Sequence, residues 1–289
     1  KTSIAMHQGQ TGKHWCWGVA YAVLALAIAA SLIAVGTVIG ETQKDNEAAF
    51  PAAPPAPSME DTIEDTIVEE LALIILSQEW STVVDISKSN SPQRQAVRWL
   101  ATKDVRQTAM ADPVEYKERY ALMVFYFAME GENWPHETYF LTKEHHCEWS
   151  KEYNDDEDFP VAIGASCECD VDKRVSKLYL AEFGMRGSVP PEIALLEKMK
   201  WIHLSGNKII EISSNMGKLS NIQALNLVNN GLSGPIPSWI ADLSSLAEIN
   251  LSNNKFTNSI PDFFQTLSAL HTVNMEQNLY RVTFVNSKA

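Results

Sequence analysis

Residues 224–240 read ALNLVNNGLSGPIPSWI. Leu225 and Leu227 alternate with Asn226, the pattern of a short strand with two side chains facing one way and one the other. Asn230 follows Leu227 at a fixed offset, and Gly234-Pro235-Ile236-Pro237 then forbids a helix. The pattern recurs on both sides, as KLYLAEFGMRGSVPPEI (177–193), WIHLSGNKIIEIS (201–213), EINLSNNKFTNSIPDFF (248–264) and TVNMEQNLYRVTF (272–284). The aligned positions Leu180, Leu204, Leu227, Leu251 and Met275 lie 24, 23, 24 and 24 residues apart, and Asn207, Asn230, Asn254 and Asn278 keep the same step. No single unit of this size can bury its own apolar face, so the units must stack.

A fixed period in this range with L-x-L-x-x-N is the signature of leucine-rich repeats. It predicts an α/β solenoid, a right-handed superhelix of about five turns. Leu225 and Leu227 point inward, and Leu232, Ile240 and Leu243 fill the same layer. The Asn ladder at 207, 230, 254 and 278 can satisfy backbone groups where the chain bends, which no aliphatic side chain could do. Tyr179, His203, Asn226, Asn250 and Asn274 sit between the paired apolar positions. They form an outward file on the concave face and are the candidate ligand-binding residues.

Gly234-Pro-Ile236-Pro237, with Gly187-Ser-Val189-Pro190 and Asn258-Ser-Ile260-Pro261, resembles the plant-type repeat with its G-x-I-P step. Ala121-Leu122, Trp134 and Cys147-Glu-Trp149 resemble the N-terminal cap of plant-type repeats, in which a helix and a C-x-W…C element shield the first turn. Ser91-Pro92-Gln93…Trp99-Leu100 is similar to an element of membrane-anchored leucine-rich-repeat proteins from diatom-like algae. The plant-type resemblance implies a disulfide from Cys147 to Cys169, which stands at the family's distance before Arg174-Val175, with Cys167 as the alternative partner. The chain departs from the family at several points. An acidic insertion, residues 151–159, separates the cysteines; Phe183 replaces the first Asn; Glu211 occupies the Gly slot of the second repeat.

Outside the repeats, residues 15–40 are dominated by Ala, Val, Leu and Ile, and no charged side chain occurs from His14 to Gly40 when His is taken as neutral. About 25 helical residues span roughly 38 Å, enough for a hydrocarbon core of about 30 Å. The stretch is too long for the apolar core of a cleaved signal, so it reads as a retained anchor rather than a signal or a buried soluble helix. Lys1 and Lys13 precede it and Glu41, Asp45 and Glu47 follow, which places the N-terminus in the cytosol and the repeats on the lumenal or extracellular side. Gly36 and Gly40 form a small-residue step that could pair helices. The domain plan is then a cytosolic tail (1–14), a transmembrane helix (15–40), a Pro/Ala linker (41–58), a helical region (59–131), a cysteine-containing cap (132–173) and the repeats (174–289).

Three helices are expected in the helical region. The first begins at a capping-box-like Ser58 and Asp61 and carries Ile63, Ile67, Leu71, Ile74 and Ile75 on one face. The second opens at Ser91-Pro92 and the third at Asp112-Pro113, with Gly131 closing the third.

Candidates for chemistry are few. His145-His146-Cys147, near His136 and Glu144, has metal-ligand residue types without the spacing of a zinc site. Asp155-Asp156-Glu157-Asp158 lacks the alternation, Gly and terminal Glu of a calcium loop. The zinc-protease, nucleophile-elbow and phosphate-loop motifs are all missing from the sequence, so neither catalysis nor a cofactor is expected. A net charge of −13 argues against nucleic acid as a partner. Two function classes remain. One is a recognition module that binds a peptide, glycan or protein on the concave face. The other is a structural or assembly subunit of a membrane complex, which a large exposed apolar patch on the helices before the cap would favour.

Overall fold

A computed structural model describes residues 59–104, 112–136, 138–142, 144–153, 161–167 and 173–280. The expected tail, anchor and linker (1–58), the acidic run at 155–158 and Cys169 lie outside the described residues. Among the described residues, no helix is long and apolar enough to cross a membrane.

Four helices precede the repeats: α1 (Met59–Ser77), α2 (Val83–Ser87), α3 (Pro92–Thr102) and α4 (Pro113–Ala128). The Ser91 hydroxyl accepts the Arg94 N–H at 3.0 Å at the start of α3. Asp112 accepts the Val114 and Glu115 N–H groups at 2.9 and 3.2 Å at the start of α4. Both caps place a proline at the first helical position, where its missing N–H costs nothing. The short α2, not expected from the sequence, starts on a Thr82 cap that accepts the Asp85 N–H.

Two details correct the sequence reading. The buried face of α1 is Val68, Leu71, Ala72 and Ile75, with Ile67 and Ile74 only partly covered. The stripe is therefore rotated from the isoleucine line. The left-handed residue ending α4 is Glu130, with φ of 55°, and not Gly131. Gly131 is required for a different reason: a Cβ there would lie 2.2 Å from the Tyr126 ring.

Helix α4 is buried on nearly every side, from Tyr116 through Tyr126 apart from Lys117. It packs against α3 and against the 3-10 turn Pro191–Leu195 of the first repeat. Such a helix must satisfy its charged residues internally. Arg119 does so with a bidentate pair to Asp104, at 3.0 and 2.8 Å, and a bond to the Glu144 carbonyl at 3.1 Å. Its guanidinium lies 4.6 Å from the Trp149 ring centroid and 5.6 Å from that of Trp99.

Glu118, the adjacent residue, receives Arg174 Nε at 2.5 Å and the Val175 N–H at 3.0 Å, and its other contact is His146 Nε2 at 3.0 Å. One carboxylate thus ties α4 to the 3-10 turn His146–Glu148 and to the start of the first repeat strand. Burial pushes its pKa up, but the partners His146, Val175 and Arg174 outweigh this and hold it below the usual value of 4.5.

The cap joins the sheet directly. Strands β1 (Ser150–Tyr153) and β2 (Val161–Cys167) form an antiparallel hairpin, and β2 pairs antiparallel with β3 (Val175–Tyr179). Residues 151–153, read as the start of an insertion, therefore belong to a strand that extends the sheet. From β3 the strands become parallel: β5 (Trp201–His203), β7 (Ala224–Asn226), β9 (Glu248–Asn250) and β11 (Thr272–Asn274). On the returning side, β4 (Arg186–Val189) pairs with β6 (Lys208–Ile212), and β8 (Ser233–Gly234) with β10 (Lys255–Phe256). Glu211, assigned by counting to the Gly slot of repeat two, instead opposes Ser188. A register shift there lets Gly187 oppose Ile209, and Ile210 is exposed.

Each ladder Asn joins two turns. Asn254 Nδ2 donates to the carbonyls of Leu227 (2.9 Å) and Leu251 (3.1 Å), and its Oδ1 accepts the Leu232 N–H at 3.1 Å. Asn207, Asn230 and Asn278 repeat the arrangement. Just before each of these positions the backbone is left-handed: Gly206, Asn229, Asn253 and Gln277, with Glu182 preceding Phe183 in the first turn. Phe183 itself is buried edge-on against Trp134, 5.2 Å between centroids, so the first turn uses this slot to hold the cap.

Two stability predictions follow from these bonds. Asn254→Ala should cost about 3 kcal/mol or more in urea unfolding, because it strands a buried donor and two buried acceptors. Lys255→Ala, an exposed neighbour, should stay within about 0.5 kcal/mol. Glu118→Gln should cost about 3–5 kcal/mol at neutral pH, since it leaves Arg174 and the Val175 amide poorly paired. Because the folded pKa of Glu118 is depressed, its contribution is present above 4.5 and lost as pH falls through the lower folded value. The gap between wild type and Glu118→Gln should therefore narrow below pH 4.5. A gap that stays constant into acid would show that the carboxylate is not the source.

Candidate functional site

The parallel strands share one register, so their outward side chains form two files across the concave face. The first runs Lys177, Trp201, Ala224, Glu248, Thr272; the second runs Tyr179, His203, Asn226, Asn250, Asn274. The second is the file expected from the sequence, and the structure brings its five members into line. The first was missed. It lies two residues earlier on each strand, on the same face by simple alternation, but its residue types share no pattern.

The three asparagines of the second file are partly committed to their own strand ends. Their Oδ1 atoms accept the N–H two residues on: Val228 at 3.2 Å, Ser252 at 3.1 Å and Glu276 at 3.1 Å. Asn250 Oδ1 also accepts the Ser252 hydroxyl at 2.7 Å. Their amide nitrogens are the atoms left to face a ligand, although that of Asn226 already lies 3.1 Å from His203 Nε2. The same ring nitrogen is 2.8 Å from Ser205 Oγ. Burial lowers the pKa of His203, which keeps the ring neutral at neutral pH and able to accept the Asn226 amide. Burial likewise raises the pKa of Tyr179, whose ring meets His203 at 5.9 Å, so its hydroxyl stays protonated.

A depression of about 370 Å³ lies on this face, lined by Tyr179, Trp201, Ile202, His203, Gln223, Ala224, Asn226, Ala247 and Glu248. A second hollow of about 440 Å³ opens between Trp80 and Ser81 and the 3-10 turn of the first repeat. Its buried Glu192 is occupied structurally, accepting Ser81 Oγ at 2.6 Å and Gln93 Nε2 at 3.1 Å. Burial raises its pKa.

His145, His146 and Cys147 do bring ligand-type atoms within 4.8 Å of one another. Most of these atoms are already engaged, with His146 Nδ1 buried and lacking a hydrogen-bond partner among the described residues. Cys147 is a disulfide cysteine, His146 Nε2 contacts Glu118, and His145 Nδ1 accepts the Cys147 N–H at 3.2 Å. The side chains of Cys167 and Cys169 lie outside the described residues.

Residues 220–279, which include β7, β9 and β11, match the leucine rich repeat family. Over 76 residues the chain is 33% identical to a probable leucine-rich-repeat receptor-like serine/threonine-protein kinase of Arabidopsis thaliana, a match covering 26% of this chain and 8% of that protein. The BIR2 ectodomain from Arabidopsis thaliana is similar at 28% identity and a TM-score of 0.39, over 41% of this chain and 63% of that one. A plant ice-binding protein is similar at 20% identity and a TM-score of 0.47, over 57% of this chain and 49% of the other.

Asn250-Leu251-Ser252 is an N-glycosylation sequon in the middle of the concave face. With Asn250 and Ser252 bonded to each other at a strand end, the site is a poor acceptor. Intact-mass analysis of protein from a eukaryotic secretory host should find Asn250 unmodified. A glycan there would crowd the concave face beside Asn226 and move the binding site elsewhere.

Proposed function

We propose that the chain is a non-catalytic recognition module, anchored in a membrane by residues 15–40, that binds a peptide, glycan or protein on its concave face. The N-terminus faces the cytosol and the repeats face the lumen or the exterior, as the charges flanking the anchor require. In the cap, Cys147 pairs with Cys169, or with Cys167 as the alternative.

The observation that carries this reading is the pair of registered files. Ten side chains stand on one sheet face whose opposite face supplies the core, and apart from Asn226, Asn250 and Asn274, whose Oδ1 atoms bond their own strand ends, the stack does not dictate their identities. Five strands at about 4.8 Å, most of them three residues long, give a strip of roughly 240 Å², about a third of one side of a standard protein interface. That suits an extended chain better than a folded partner. The second reading, an assembly subunit, draws on exposed apolar residues at the last described turn: Ile260, Val273 and Leu279.

The test uses the full chain and ligands selected from peptide and glycan libraries. His203→Ala with Asn226→Ala should abolish binding, and Ile210→Ser, an exposed site off this face, should leave it unchanged. Binding that survives the double variant places the ligand elsewhere. In sealed vesicles with the expected orientation, protease added on the cytosolic side should spare the repeats; their digestion would refute the topology.

A further inference from the structure

Resting on that reading, we propose that the ligand is an acidic oligosaccharide, seated across the strands with its uronate unit at Trp201 and neutral sugars running on towards Glu248. The chain carries a net charge of −13, yet one end of the concave face is basic. Lys177 Nζ lies 4.7 Å from the centroid of the Trp201 ring, and Lys200 Nζ lies 5.7 Å from it. An indole flanked by ammonium groups repels a cationic ligand and favours a carboxylate beside a stackable ring.

The shape of the depression argues for a sugar over a peptide. Peptide anchors need a deep, desolvated pocket for an aromatic or aliphatic side chain. Here the aliphatic lining is only Ile202, Ala224 and Ala247, and the rest of the wall is rings, amides and a carboxylate. Around it stand three rings, those of Trp201, Tyr179 and His203, which can meet the C–H faces of pyranose units. The amides of Gln223 and Asn226 and the carboxylate of Glu248 are planar groups with paired polar atoms, suited to neighbouring hydroxyls. The charges also give the site a direction. Ammonium groups stand at the β3–β5 end and a carboxylate at β9, so a ligand acidic at one end and neutral at the other fits one way round.

The experiment is an array printed in matched pairs, each uronate-bearing oligosaccharide beside its carboxyl-reduced, neutral counterpart, with Asp/Glu-rich peptides on the same surface. The full chain should bind the uronate members over their reduced partners. Trp201→Ala should weaken this binding about tenfold or more. Lys177→Gln should remove the preference for acid over reduced sugar while leaving residual binding, with an unchanged unfolding midpoint. Glu248→Gln, an exposed change that keeps folding out of question, should weaken binding of the neutral sugars at the far end. Equal binding of acid and reduced partners, a preference indifferent to Lys177, or no glycan binding at all would overturn the proposal. If acidic peptides bind instead and His203→Ala with Asn226→Ala abolishes that, the ligand class is wrong and the concave-face reading stands. If uronates bind but neither Trp201→Ala nor the double variant matters, both are wrong.

Discussion

A chain that turns through a solenoid every 23 or 24 residues must hide a bend in its backbone at each turn, and the amide of one asparagine makes that possible. The bend buries carbonyls that point along the stack and N–H groups that no strand partner can reach. Leaving even one such group unpaired costs about 1–3 kcal/mol. The Asn side chain carries donor and acceptor on one planar group. It therefore reaches the carbonyls of its own turn and of the preceding one with Nδ2, and an N–H of the preceding turn with Oδ1. Adjacent turns are consequently fastened by the same atoms that form the bend. The left-handed residue before each ladder position is part of the same constraint, since it aims the amide inward.

Such a stack has an open first turn, and the cap closes it with a different chemistry. Phe183 takes the ladder slot and offers a ring to Trp134. The β1–β2 hairpin covers the edge of β3, removing a row of unpaired backbone groups that would otherwise recruit another strand. Helix α4 then has to carry Glu118 and Arg119 into a closed interior. Each is matched to partners from a different part of the chain, Arg174 and His146 for one and Asp104 for the other. Breaking such pairs is far more costly than the net worth of forming them, so they act on register more than on raw stability. They fix where the helices sit against the first repeat.

What the sequence made legible follows from this division. The strands, the ladder and the helix starts at Ser91 and Asp112 repeat a local requirement, so the same residue types recur or sit at recognised caps. The hairpin was obscured because Val161–Cys167 follows an acidic run and gains its partner only in the fold. The stretch Lys117-Glu118-Arg119 reads as a solvated charged stripe, and only the packing around α4 shows that two of the three are buried. The file Lys177, Trp201, Ala224, Glu248, Thr272 was invisible because nothing in the fold requires its members to resemble one another.

That last point separates structure from recognition in this molecule. Positions that the stack dictates are periodic, and positions that it does not dictate are where a ligand can be read. The two concave files differ in this respect. Asn226, Asn250 and Asn274 spend their carbonyl oxygens on their own strand ends, so their recurrence has a structural cause and only their amide nitrogens are available. Trp201 and Glu248 have no such duty. A half-buried ring and an exposed carboxylate on the outer sheet face lie outside the core, and the alanine between them lines the hollow. Under the proposed recognition role, the chemistry that would distinguish one partner from another is that of the file without a repeat, and the asparagine file is a uniform polar rail beside it.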